Sequence, residues 1–219
     1  MIFLFQGINT LPTIRLMNQA ALVAYVTQYL PAELRLMQMG GYATVHPTLL
    51  AEEKALLYHY TANGSTAINQ SLRASQGVPA DILTQELVAA AQKMPLYEGS
   101  AFSAAHLNPA ELGRLQMVFT GGTPQTAQRV TWPAFLSASR SLLVAERHLN
   151  YTGPPRPNNC LFQISSLRGR VIELLSHYGP NGYDPYDNEQ EILFLPNTTF
   201  RIIGVSFATA WPQVALLEL

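Results

Sequence analysis

Apolar positions recur with a helical period along the first ninety-odd residues and then condense into short β-branched and aromatic runs. Ile14, Met17, Ala21, Ala24 and Tyr25 predict a helix over 12–29, with Pro12 in its first turn and Pro31 ending it. A short helical piece over 32–39 runs into Gly40-Gly41. A stronger helix is predicted over 48–60, with Leu49, Ala55 and Leu56 on its apolar side and Asn63-Gly64 breaking it. Two more helices are predicted over 65–75 and 79–93.

Beyond Met94-Pro95 the pattern changes, because Val, Ile, Phe and Thr clusters separated by Gly, Pro and Asn take over. Strands are predicted over 100–104, 130–136, 160–165, 171–175, 191–195, 199–205 and 213–217. The segment 177–188, rich in Gly, Pro, Asn and Tyr, reads as a long loop. The class is therefore α+β, an N-terminal helical lobe followed by a mostly antiparallel core. No internal repeat or low-complexity linker divides the chain, so it is taken as a single domain over 1–219, with a helical part over 1–94 and a β-rich part over 95–219.

Composition narrows the possible partners. With 219 residues, 48% of them hydrophobic and 12% charged, the chain can bury one good-sized core. A formal net charge of −1 argues against non-specific nucleic-acid binding, which rests on an excess of Lys and Arg. A nucleotide-sized ligand stays open. Cys160 is the only cysteine, which precludes an intramolecular disulfide and leaves a cysteine-based zinc site unsupported, so no metal is expected. The apolar opening Met1 to Phe5 lacks a basic flank and is cut off by Gln6-Gly7, which reads as a structured beginning rather than a signal peptide. No uninterrupted apolar span reaches membrane length, so no membrane insertion is expected.

Candidate chemistry centres on Glu189 and Glu191, placed just ahead of Ile192, Leu193 and Phe194. On an extended chain i and i+2 share a face, so the two acids would project together from the rim of a sheet. The same pattern also serves as an edge-strand solubility device. Upstream lie Ser137-Ala138-Ser139 at a strand end, Tyr58-His59-Tyr60-Thr61, and Asn69 and Arg73, which at a spacing of four share one helix face.

In this order the motifs resemble the mono-ADP-ribosyltransferase family of the arginine-serine-glutamate type, which includes bacterial toxins and effectors. The resemblance spans about 48–219 and implies a two-sheet NAD-binding core, with NAD as co-substrate and a protein acceptor. It matches Glu191 to the catalytic glutamate that steadies an oxocarbenium-like transition state, and Glu189 to the acid that orients an acceptor guanidinium. Ser137 matches the serine that holds the catalytic glutamate. Asn69, Arg73, Ser139 and Arg140 fall among cofactor-binding positions, 140–148 falls where a loop covers the dinucleotide, and Tyr183 and Tyr186 lie on the acceptor-recognition loop. A secreted effector acting in the cytosol of a host or target cell is the implied setting. One departure is marked: after Met94-Pro95-Leu96-Tyr97-Glu98-Gly99, Ser103 stands where the family's phosphate-binding arginine is expected. A neutral hydroxyl does not replace a planar cation.

Two other functions remain open at this point. The same site could hydrolyse NAD with water as acceptor. Alternatively, Ser103 could mark a degenerate transferase that serves as a protein-interaction module.

Overall fold

The computed structural model describes residues 19–121, 128–151, 158–184 and 187–219. Helices come first: α1 (Gln19–Tyr29), α2 (Pro31–Met37), α3 (Gly40–Thr44), α4 (Ala51–His59), α5 (Ser65–Ala74) and α6 (Ile82–Gln92). The start expected for α1 at Pro12 lies outside the described residues. Pro31 opens α2 at a position where its missing N–H costs nothing. Asp81 caps α6 by accepting the Thr84 N–H at 2.8 Å. No helix of the described residues is long and apolar enough to cross a membrane.

The break expected at Asn63-Gly64 does not occur. A π-helical turn, Tyr60–Gly64, carries the chain from α4 straight into α5. Gly64 is needed there, since a Cβ would lie 2.8 Å from the His59 ring. Such widened turns often mark functional sites because they rotate side chains off the regular helical spiral.

The second half holds β1 (Leu96–Ala105), α7 (Pro109–Gly121), β2 (Arg129–Trp132), β3 (Leu136–Ser139), α8 (Leu142–Asn150), β4 (Cys160–Val171), β5 (Glu191–Phe194), β6 (Thr198–Ser206) and β7 (Gln213–Glu218). The strand expected over 130–136 is two strands, separated by Pro133, which cannot donate to a ladder. Conversely, the strands expected over 160–165 and 171–175 are one long β4 followed by a 3₁₀ turn, Glu173–Leu175. Gly169 continues that strand because the Ile192 side chain crowds it; a Cβ would meet Ile192 Cγ2 at 2.7 Å. Helix α7 is an unpredicted element, although its start carried a readable signal. Asn108 and Glu111 cap each other reciprocally at 2.8 and 2.9 Å around Pro109.

All pairings are antiparallel except β4 with β7. The strand order is β1-β3-β5-β4-β7-β6-β2, and β1 also pairs with β4, so hydrogen bonds join all seven described strands into one network rather than two separate sheets. Within it β5 is flanked on both sides, by β3 and β4. That position rules out the edge-strand reading for Glu191.

Strand β5 also lies between two apolar cores. Leu193 faces the helical core with Leu56, Leu57, Tyr60, Leu72 and Phe135. Ile192 and Phe194 face the core shared with Leu115 of α7, Phe162 and Phe200. By strand alternation Glu191 shares the Leu193 face and is directed toward the helices. Asn69 strengthens this junction: its Nδ2 donates to the Tyr60 hydroxyl and its Oδ1 accepts the Phe135 N–H, each at 3.1 Å. Asn69→Ala removes both bonds, leaving the Phe135 N–H without its acceptor and Tyr60 with Ser137 alone, and is expected to destabilise the fold by about 2 kcal/mol in urea unfolding. A loss under about 0.5 kcal/mol would contradict a bridging role.

Candidate active site

Glu191 is 6% exposed, an unusual burial for a carboxylate. Its Oε2 accepts the Ser176 hydroxyl at 2.7 Å, and Ser137 also hydrogen-bonds it. Burial pushes its pKa up from 4.5 to about 7, with Glu189 adding to the rise while the two serines and His148 oppose it. Tyr60, wholly buried, hydrogen-bonds Ser137 and Asn69. A chain of polar contacts thus runs from α5 through Tyr60 and Ser137 to Glu191.

Ser176 is the residue the sequence did not disclose. It follows the 3₁₀ turn in a loop with no periodic pattern, and only the folded chain brings it to Glu191. The helical half fixes its neighbours closely. Tyr42 donates to the Ser176 carbonyl at 3.3 Å, the His177 N–H donates to Thr61 Oγ1 at 2.8 Å, and the Tyr58 hydroxyl meets His177 Nδ1 at 2.7 Å. The Tyr178 N–H donates back to Ser176 Oγ at 3.1 Å.

Glu189 reaches the same cavity by a different route from the one expected. Gln190 between the acids has φ +50°, a left-handed backbone that costs a non-glycine residue about 1–2 kcal/mol. The pair converges through this kink, with Asn188 Oδ1 accepting the Gln190 N–H at 2.8 Å, and not through simple strand alternation. Glu189 Oε1 lies 2.8 Å from His148 Nε2 and 3.9 Å from Arg147 Nη2. The bond to Glu189 raises the His148 pKa against the opposing effect of burial. The segment expected to be a covering loop is the helix α8 that delivers both cations.

The two acids line one cavity of about 210 Å³ with Tyr60, Thr61, Ser103, Ser137, Ser139, His148 and Tyr178. Ser103 is on β1, 4% exposed, and donates to the Ser137 carbonyl at 2.7 Å. Ser139 Oγ accepts the Ser141 N–H at 2.9 Å, at the entry to α8. Of the other residues singled out, Asn69 has both ends of its amide engaged as described. Arg140 is ion-paired with Glu173. Arg73 is exposed on α5 and makes no ion pair among the described residues, although its charge is felt at Tyr60. Tyr183 is 86% exposed and stacks on His177 at 5.9 Å between ring centroids, whereas Tyr186 lies outside the described residues. Cys160 is buried, its thiol pushed up to about 12, and plays no part here.

Comparison with known proteins fits this geometry. No family model matches the chain. It is 28% identical over 161 residues to the NAD(+)–protein-arginine ADP-ribosyltransferase Tre1 of Serratia proteamaculans, covering 72% of this chain and 30% of that protein. It is 26% identical over 167 residues to the ADP-ribosyltransferase Vis of Vibrio splendidus, covering 72% of this chain and 60% of that one. Over 72% of its length the chain is similar in sequence to arginine-directed mono-ADP-ribosyltransferases. The fold agrees: the ADP-ribosyltransferase HopU1 of Pseudomonas syringae superposes with a TM-score of 0.63 at 21% identity, covering 87% of each chain. Vis in complex with agmatine superposes with a TM-score of 0.58 at 20% identity, covering 93% of this chain and 86% of that one. The chain spans only part of the length of the two sequence relatives it matches, 60% and 30%.

A carboxyl whose pKa is higher folded than unfolded withholds stability as pH climbs from about 4.5 to about 7, because the folded state holds its proton longer. Glu191→Gln is therefore expected to raise the unfolding free energy at pH 8 by about 2 kcal/mol and to change it little at pH 4. Equal effects at both pH values would mean that Glu191 is not held in a desolvated site.

Proposed function

We propose that the chain is an NAD-dependent mono-ADP-ribosyltransferase that modifies arginine side chains of a protein acceptor and releases nicotinamide. The observation that carries this reading is the convergence of two carboxylates of unlike character on one cavity. Glu191 is largely buried and held by serines; Glu189 stands beside His148 and Arg147. Breaking the bond between nicotinamide and ribose develops positive charge on the sugar. Glu191, ionised and fixed by Ser176 and Ser137, accepts a hydrogen bond from a ribose hydroxyl and stabilises that charge without having to reorganise. Glu189 orients the guanidinium, whose nitrogen attacks the anomeric carbon as nicotinamide departs. The guanidinium proton passes to Glu189 and then to solvent.

On this reading Ser137 positions Glu191, and Ser139 and Ser103 line the NAD site beside it. Asn69 supports that site from behind rather than touching NAD. Arg73, exposed and without an ion pair among the described residues, takes the diphosphate charge that Ser103 leaves unanswered. Arg140, held by Glu173, serves only after that pair opens. Tyr183 offers an exposed ring to the acceptor, and Tyr186 belongs to the same loop. The 1–94 lobe and the NAD-binding core over 95–219 work as one domain, a reading supported by the apolar cluster that runs from α4 into β5. We further place the protein as a secreted effector that meets a host or target-cell protein; this follows from the family resemblance.

Glu189→Gln separates transfer from bond cleavage. It is expected to reduce protein or agmatine labelling by about tenfold or more while acceptor-free nicotinamide release stays within about twofold. Labelling that survives at the original rate would remove Glu189 from acceptor recognition.

A further inference from the structure

The acceptor-directing acid already has an occupant. Both basic side chains that face Glu189 come from the last turn of α8, His148 at 2.8 Å and Arg147 at 3.9 Å, and both use the same oxygen, Oε1. A carboxylate grips a guanidinium through two parallel N–H···O bonds, one to each oxygen. While His148 stays in place, that two-point grip is blocked. Asp187, which pairs with the other nitrogen of Arg147, and Glu191 across the cavity are further acids nearby.

We propose that His148 is an acceptor-specificity residue: it holds Glu189 as an internal hydrogen-bond partner until a guanidinium able to form the two-point pair displaces it. This rests on the reading of Glu189 as the acceptor-directing acid. Three features support it. Helix α8 is anchored by Ala145 and Leu149, buried against Leu161, so its backbone stays in place while one side chain swings. The His148 side chain is 45% exposed and has solvent to swing into. Its single bond to Glu189 is the weaker competitor, because a half-exposed pair is strongly screened. Water and singly bonding amines gain less from Glu189 than His148 does and leave it in place, so the device favours guanidines.

The test uses the full chain with labelled NAD and agmatine, a small guanidine, measuring KM for agmatine in wild type, His148→Phe and His148→Gln. The Phe variant, which cannot donate, is expected to lower the agmatine KM by about threefold to fivefold. The Gln variant, which keeps one neutral donor, should fall between it and wild type. An unchanged or raised KM in both variants, with wild type labelling agmatine normally, overturns the proposal and leaves the transferase reading standing. Wild type that releases nicotinamide but labels no guanidine overturns the transferase reading itself, and this proposal with it.

Discussion

Everything at this site depends on keeping one carboxylate, Glu191, largely shielded from water at the wall of the cavity. Burial alone would neutralise such a group, and the shift of its pKa to about 7 measures how far burial prevails. Hydrogen bonds from Ser176 and Ser137 offset part of that cost and keep the carboxylate within reach of neutral pH. Neither serine is secured by its own strand or loop alone. Tyr60 of the π-helical turn, held by Asn69 of α5, buttresses Ser137, and Tyr42, Tyr58 and Thr61 fix the backbone and neighbours of Ser176. The helical half thus acts as the wall that makes a glutamate at the start of β5 into a preorganised electrostatic group.

The second acid meets opposite conditions. Glu189 sits just outside the strand, beyond the left-handed Gln190, with a histidine and an arginine beside it. One residue of separation and one kink therefore divide a dry acid from an ion-paired one. That difference suits the two glutamates of one sequence motif to the unlike roles proposed for them, since environment sets what each carboxylate can do.

Much of this was legible in the chain. The helix-to-strand change near Met94-Pro95 is real, and β5, β6 and β7 fall within a residue or two of where their apolar runs put them. Ser103 does line the cavity, and Ser137 and Ser139 do lie next to β5. The misses have physical causes. Asn63-Gly64 reads locally as a breaker, but packing of Tyr60 and Leu72 into the helical core overrides it and yields a π-helical turn. Gly169 looks like a strand end, whereas it answers the close approach of Ile192. Ser176 and His148 carried no periodic signal because their partners, 15 and 41 residues away in sequence, meet them only in the folded chain.

The central claim is that the ionisation of a serine-held, desolvated Glu191 governs cleavage of the bond to nicotinamide. Its most direct test is the pH dependence of kcat/KM for acceptor-free nicotinamide release in wild type and Ser176→Ala. The rate is expected to rise about tenfold per unit below pH 7 and to level off above it. Removing the Ser176 hydroxyl, which favours the charged form, should move the inflection upward. A profile that stays flat through neutral pH, or an inflection that Ser176→Ala leaves in place, would contradict the account.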